Sequence, residues 1–190
     1  MARVAFIVDQ MFEDSEFRVP YERVRKAGHE ASIIGIHAGK PLDGKKGTQI
    51  TPDRSIDDVT ADDFEALVIP GGYSPDHLRM SRKMVGLTRD MFLAGKPVAA
   101  ICHAGWMLVE ADVADGRTVT SWPSIKTDLI NAGARWVDRE VVEDGNLITS
   151  RKPEDAAAFS DAVLRQIEHG APEEPARPAV TRAVETPRSR

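Results

Sequence analysis

The sequence lacks the features that mark disulfide-rich and metal-binding proteins. Cys102 is the only cysteine among 190 residues, so no disulfide framework can form within the chain. Low cysteine content is typical of proteins in a reducing cytosol. No Cys-x-x-Cys motif is present and the histidines show no metal-ligand spacing, so we predict no metal and no other cofactor.

The sequence also has no excess of positive charge and no long hydrophobic run. Its net charge is −5 and only 6% of its residues are aromatic, which argues against a nucleic-acid-binding surface. The N-terminal apolar run ends at Asp9, which is too short for a signal peptide. No stretch approaches the ~20 apolar residues that cross a membrane. We therefore expect a cytoplasmic protein that binds neither nucleic acid nor a membrane.

What the sequence does contain is an alternation of short apolar runs and amphipathic segments. The apolar runs predict buried strands at residues 4–8, 31–36, 67–69 and 97–101. Two further strands are expected at residues 137–142 and 147–150, joined by a turn. Strands that alternate with helices predict an α/β sandwich with a largely parallel sheet, whose active site lies at the carboxyl ends of the strands.

Two segments depart from this pattern. Pro20 lies inside the first helical stretch and predicts a break or a late start there. Residues 171–190 contain four prolines, several arginines and almost no periodic apolar residues. We therefore expect one α/β domain over residues 1–170, followed by a flexible Pro/Arg-rich extension over residues 171–190.

Cys102 stands where a predicted strand ends and a run of small and apolar residues begins a helix. Backbone N–H groups and the helix dipole favour thiolate at such a turn. The small residues Ala100, Ala104 and Gly105 would let the chain turn as tightly as in a nucleophile elbow. A buried, inert cysteine is the alternative, and spacing alone does not separate the two.

A glycine pair, Gly71-Gly72, follows the neighbouring predicted strand. Glycines at a strand end let backbone N–H groups approach a substrate closely. Together with the N–H that follows the nucleophile, such donors can form an oxyanion hole. A plain tight turn is the alternative interpretation.

Several motifs in order along the chain resemble the PfpI family of intracellular proteases and general stress proteins, within the wider DJ/PfpI superfamily. The matching segments lie at residues 12–16, 28–30, 69–72, 95–103, 120–126, 128–133 and 149–153. The resemblance runs from the N-terminus to about residue 168. It implies a flavodoxin-like three-layer sandwich with Cys102 as the nucleophile on the elbow.

The resemblance also implies roles for three further side chains. The family's early glutamate maps onto Glu13, which would lie beside the thiol as a protonated acid and shuttle a proton. His103 would join Cys102 and an acid from a second subunit, which corresponds here to Asp76. The protein would then be at least a dimer whose active site is completed across the interface.

A related enzyme class can be tested within the sequence. Class I glutamine amidotransferases share the sandwich and the elbow, but they need a histidine and a glutamate two residues apart on a late strand. The first histidine after His103 is His169, in the last predicted helix. Glutaminase activity is therefore not expected.

The chemistry common to the remaining hypotheses is attack by the Cys102 thiolate on a carbonyl carbon. One hypothesis is a peptidase, and another is a glutathione-independent glyoxalase or protein deglycase that acts on small carbonyl compounds. The small implied pocket favours the second, whereas the family's name favours the first. The non-enzymatic alternatives are a redox-sensing stress protein that uses oxidation of Cys102 and a chaperone-like protein.

Overall fold

A seven-stranded sheet forms the centre of the chain in the computed structural model, which describes residues 1–172. Its strands are β1 (Arg3–Ile7), β2 (Glu30–Gly35), β5 (Arg54–Ser55), β6 (Ala66–Ile69), β7 (Val98–Ile101), β10 (Val141–Asp144) and β11 (Leu147–Ser150). They lie in the order β10-β11-β7-β6-β1-β2-β5. Every pairing is parallel except that of β10 with β11. The predicted largely parallel sheet is confirmed.

Two small sheets lie beside the main one. One pairs β3 (Leu42–Asp43) with β4 (Gln49–Ile50) in antiparallel fashion, and the other pairs β8 (Thr118–Val119) with β9 (Arg135–Trp136) in parallel. The β3–β4 pair closes the turn at residues 44–48, which the site described below uses.

Helices cover both faces of the sheet. They are α1 (Asp14–Lys26), α2 (Ser74–Leu78), α3 (Arg82–Leu93), α4 (Gly105–Glu110), α5 (Lys126–Asn131) and α6 (Ala156–His169). Alternate residues of β1 point to opposite faces, so Phe6 packs with α1 and α6, whereas Ile7 packs with α3 and α4. The two apolar layers make the central strands fully buried, as expected for a three-layer α/β sandwich.

The first helix does not break at Pro20, contrary to the prediction. Helix α1 is continuous from Asp14 to Lys26 with Pro20 inside it. Proline removes only the one backbone hydrogen bond to the carbonyl of Glu16. The buried stripe that contains Glu16, Pro20 and Val24 faces the sheet, and this packing maintains the helix across the missing bond.

The strand predicted at residues 137–142 is present only at its end, where Val141 begins β10. Residues Arg135–Trp136 form β9, and the main sheet gains β10 only from Val141 onward. Between them the Val137 N–H still donates to Val119, whereas the Glu140 carbonyl accepts from the Ser150 hydroxyl. The polar residues between these points carry the chain from the small sheet to the large one.

The carboxyl ends of β1, β6 and β7 meet at one edge of the sheet. The chain runs outward from β1 to β2 and β5, then returns to β6 on the other side of β1, which makes this edge a topological switch point. Within residues 1–172, no helix is both long and apolar enough to cross a bilayer. Most of the predicted extension, residues 173–190, lies outside the described part of the chain.

Candidate active site

Cys102 occupies a strained turn directly after β7. Its backbone φ is +63°, a left-handed conformation that costs energy in a residue other than glycine. A 3-10 turn over Cys102–Ala104 leads into α4, and the Trp122 N–H donates to the Cys102 carbonyl at 3.3 Å. The side chain is only 7% exposed. The strand-to-helix turn predicted around the cysteine is present, and its strain marks it as a candidate functional site.

The two glycines after β6 direct their N–H groups at different partners. The backbone N–H groups of Gly72 and His103 hydrogen bond to the Cys102 sulfur. The Gly71 N–H instead donates to Oε2 of Glu16 at 2.9 Å. Of the two predicted oxyanion residues, only Gly72 therefore directs its N–H at the reacting atom. Gly71 serves by leaving space, since a Cβ there would lie 2.7 Å from the Cβ of Cys102.

Glu16, on the first turn of α1, is the carboxyl group that contacts the thiol. Its side chain is fully buried and lies within hydrogen-bonding reach of the Cys102 sulfur. Burial raises the pKa of Glu16 to about 8. Its Oε1 atom has no hydrogen-bond partner among residues 1–172. At neutral pH this carboxylic acid can therefore donate to the sulfur.

Glu13, the predicted acid, lies at the mouth of the pocket and not against the sulfur. Its carboxylate pairs with Lys46 Nζ at 2.7 Å and Lys45 Nζ at 3.4 Å. Glu13 is the N-cap residue and has an extended backbone, whereas Glu16 lies within α1 on the face that is buried. Glu16, and not the predicted Glu13, is therefore the carboxyl group against the sulfur, whereas the role predicted for Glu13 stays a prediction. The sequence contained a signal for the position of Glu16. Glu16, Pro20 and Val24 are four residues apart, so on a helix they lie on one face, and that face is buried.

Asp14 fixes the turn that carries the two lysines. Its carboxylate accepts the backbone N–H groups of Lys46 and Thr48, each at 2.8 Å. Burial opposes ionisation of Asp14, but the hydrogen bonds from Thr48 and Lys46 outweigh it and lower its pKa. The ammonium of Lys45 is thereby held at the pocket, where it also lies 5.6 Å from the centre of the Tyr73 ring.

His103 contacts the sulfur within the same chain. Its Nδ1 atom lies 3.2 Å from Sγ of Cys102, although adjacent residues do not face each other in a regular helix. Its Nε2 atom lies 3.2 Å from Oγ of Ser124. The ring also packs near the indoles of Trp106 and Trp122, at 5.3 and 6.3 Å between ring centres. Burial and the Lys45 charge lower the pKa of His103.

Asp76 is not brought to this site by its own chain. It is an exposed residue of α2 and does not line the pocket around the cysteine. Ser124 is the partner of His103 that sequence reasoning missed. It lies in the matching segment 120–126, to which the sequence analysis assigned no chemical role.

The thiol itself does not follow the simple helix-dipole expectation. Burial and the neighbouring Glu16 raise the pKa of Cys102, whereas the N–H groups of His103 and Gly72 lower it. Helix α4 has six residues and begins only after the 3-10 turn, so its dipole acts weakly on the sulfur. A protonated Glu16 donates to the sulfur in place of repelling it, and Glu16 and Cys102 titrate as a pair.

The pocket around the sulfur is small. Its volume is about 350 Å³, which is at the lower end for ligand sites. It is lined by Glu13, Lys45, Gly72, Tyr73, Cys102, His103, Trp122, Pro153 and Glu154. Aromatic walls, a lysine and two carboxylates surround the nucleophile. Among residues 1–172, no group of three or more His, Cys, Asp or Glu side chains is placed to hold a metal ion.

The sequence model that describes the DJ-1/PfpI family matches residues 2–166 of this chain. The chain belongs to the DJ-1/PfpI family. It is 48% identical over 165 residues to protein/nucleic acid deglycase 2 of Escherichia coli, an alignment that covers 86% of the chain and 96% of that protein. It is 45% identical over 168 residues to general stress protein 18 of Bacillus subtilis, covering 87% and 98%. The family resemblance read from the motifs is confirmed.

A solved DJ-1/PfpI structure has the same fold. The crystal structure of Drosophila melanogaster DJ-1beta superposes with a TM-score of 0.82 at 34% identity, covering 87% of this chain and 89% of that one. The flavodoxin-like sandwich that the resemblance implied is therefore confirmed.

Proposed function

We propose that this DJ-1/PfpI protein is a Cys102-dependent deglycase and glyoxalase, which converts α-oxoaldehydes, free or added to amines, into hydroxy acids. The observation that carries the proposal is the fully buried Glu16 carboxyl group, with its raised pKa, in contact with the sulfur. An acid near neutral pKa can both give and take a proton during turnover. The deglycase name of the Escherichia coli relative points the same way.

The first step forms a carbon–sulfur bond. The Cys102 thiolate attacks the carbinol carbon of an amine adduct or the aldehyde carbon of free methylglyoxal. With the adduct, the carbon–nitrogen bond breaks and the amine leaves with a proton; both routes give a hemithioacetal. The N–H groups of Gly72 and His103, which already point at the sulfur, are placed to stabilise the oxygen on the attacked carbon.

The second step moves one proton between adjacent carbons. Glu16, as a carboxylate after giving up its proton, takes the C–H proton of the hemithioacetal carbon and returns it to the neighbouring carbon, while the hydroxyl proton of the first carbon passes to the ketone oxygen of the second. The former aldehyde carbon is thereby oxidised and the ketone carbon reduced, which needs no external redox agent. The product is a thioester of the hydroxy acid. Water hydrolyses it, releases the hydroxy acid and restores the thiol.

The size of the pocket supports small-carbonyl chemistry. A volume of about 350 Å³ accommodates a three-carbon oxoaldehyde and the end of a modified side chain. We propose that the natural substrates are small carbonyl compounds in the cytoplasm or their adducts on proteins and nucleotides. A redox-sensor function is less well supported, because Cys102 is only 7% exposed.

The test is lactate release from methylglyoxal and from arginine that has been treated with methylglyoxal. We expect the unmodified protein to release lactate from both and the Cys102→Ser variant to release none. Lys83→Ala is a surface control, because Lys83 is an exposed residue of α3 that pairs with the exposed Asp57 and does not line the pocket. Equal lactate release by the unmodified protein and Cys102→Ser would refute the proposal.

A peptidase is the second candidate, supported by the 3.2 Å contact between His103 Nδ1 and the sulfur. Since Asp76 lies outside the pocket of its own chain, it can complete a triad only from a second subunit. The peptidase proposal therefore includes a homo-oligomer, at least a dimer. Cleavage of an unstructured peptide by an equal mixture of Cys102→Ser and Asp76→Ala subunits tests it. Rescue relative to either variant alone is expected, and a fully active monomer would contradict it.

A further inference from the structure

The exposed hydroxyl of Ser124 lies against the far nitrogen of His103. Ser124 lies in a 3-10 turn, Pro123–Ile125, between two anchored residues. On one side the Trp122 N–H donates to the Cys102 carbonyl at 3.3 Å. On the other side the Ile125 side chain is buried, 1% exposed. The 3.2 Å separation between Ser124 Oγ and His103 Nε2 is therefore set by the same turn that supports the nucleophile.

A hydroxyl and a carboxylate would act differently at this nitrogen. A carboxylate only accepts, so it retains a proton on Nε2 and stabilises the imidazolium ion. A hydroxyl both donates and accepts, so it can bond to Nε2 with or without a proton there. With Ser124 as partner, His103 can place its single proton on Nδ1 and donate it to the sulfur while remaining neutral.

Within one subunit, none of the charged groups around the His103 ring serves as a carboxylate partner for its Nε2 atom. The titratable groups that share the pocket with His103 are Cys102, Glu13, Lys45, Tyr73 and Glu154, and Glu16 contacts the sulfur. Lys45 opposes protonation of the imidazole, and Glu13 is paired with Lys45 and Lys46. Within the described part of the chain, the hydrogen-bond partner of Nε2 is therefore the Ser124 hydroxyl and not an acid.

We propose that Ser124 is a positioning residue, which orients His103 as a neutral hydrogen-bond partner of the Cys102 sulfur where an acid would make it an imidazolium. A neutral imidazole stabilises thiolate without providing the ready proton that a peptide's leaving amine requires. Ser124 thus biases the site towards small-carbonyl chemistry with Glu16 as the proton carrier. This consequence for substrate choice rests on the function proposed above, whereas the positioning role does not.

The experiment compares full-length variants by two readouts that need no substrate. The first is ¹⁵N NMR of the His103 ring, which distinguishes the two neutral tautomers and the imidazolium. The second is the rate of Cys102 alkylation by iodoacetamide as a function of pH. The variants are Ser124→Ala, Ser124→Thr and Ser124→Asp, with Thr127→Ala as the control because Thr127 is exposed one turn along on α5.

The unmodified protein should show a neutral His103 at pH 7. Ser124→Ala should slow alkylation about threefold to tenfold, the loss of one hydrogen bond, and mix the two tautomers. Ser124→Thr should restore both readouts, and Ser124→Asp should give an imidazolium. A charged His103 in the unmodified protein, or Ser124→Ala readouts equal to those of Thr127→Ala, would overturn the proposal. If the unmodified protein releases no lactate, the proposed function fails, while these two readouts still decide the role of Ser124.

Discussion

Glu13 and Glu16 are three residues apart at the start of one helix, yet their surroundings are opposite. Glu13 is the N-cap residue and pairs with two lysines at the mouth of the pocket. Glu16 is one turn further, fully buried, and reaches the sulfur and the Gly71 N–H without any cation in contact. Glu13 is itself only 4% exposed, so the comparison teaches that partners, more than burial or proximity in sequence, decide what a carboxyl group at this site can do.

The largest expected effect is on the buried member of this pair. Glu16→Gln keeps the shape but removes the group that accepts and returns a proton, so lactate formation should fall about 10²–10⁴-fold. Lactate formation by Glu13→Gln should fall far less, because this substitution changes only a carboxylate that pairs with Lys45 and Lys46. Lactate release from methylglyoxal measures both. A larger loss in Glu13→Gln than in Glu16→Gln would reverse the assignment of roles.

Gly71, which faces Glu16, gives the next largest effect. In Gly71→Ala the new methyl would lie 2.5 Å from Oε2 of Glu16 and 2.7 Å from Cβ of Cys102. Displacing reacting groups by about 1 Å can cost about 10²-fold in rate. We expect such a loss in kcat. Gly86→Ala on α3 is the matched control, since its Cβ meets nothing within 4 Å. Equal rates for the two variants would contradict the tight contact around Glu16.

The pH dependence of stability should report on the buried Glu16 carboxyl group. The pKa of Glu16 is about 8 in the folded protein, above its unfolded value of 4.5. Between these values the folded state binds more protons than the unfolded state, so stability falls as pH rises, by at most about 1.4 kcal/mol per pH unit. Urea unfolding at pH 5, 7 and 9 measures this loss. Glu16→Gln should make the curve flatter, and an unchanged slope would show that another group titrates.

The smallest effect is expected at the rim of the pocket. Lys46 is 66% exposed, and its pair with Glu13 is screened by water, so Lys46→Met should change the lactate rate by no more than about fivefold. Added salt should have little further influence on the variant. A loss comparable to that of Glu16→Gln would mean that the rim pair takes part in the chemistry.

Much of the fold could be predicted, because central strands of a parallel sheet must be apolar on both faces. The runs around Phe6, Val68 and Ala99 all became central strands. Cys102 was located for the same reason, since it follows such a run directly. The prediction of a break at Pro20 was wrong, because the packing of the buried helix face outweighs the local effect of one proline.

The candidate site was harder to predict because its contacts join distant segments. Whether Glu13 or Glu16 meets the thiol depends on where the helix begins, and element ends are the least certain part of a sequence pattern. Ser124 reaches His103 across 21 residues, through a turn whose position depends on the fold. The role predicted for Asp76 stays a prediction, since it concerns a second subunit.

The Asp14 carboxylate, which receives the N–H groups of Lys46 and Thr48, has a consequence for how this enzyme can evolve. A Cβ on Gly44 would lie 2.8 Å from that carboxylate, so the hairpin is closed against the helix with no space to spare. A surface hairpin usually tolerates insertions. Here an added residue would break the register that delivers Lys45. Selection can therefore vary the side chain at position 45, but not the length of the loop that carries it.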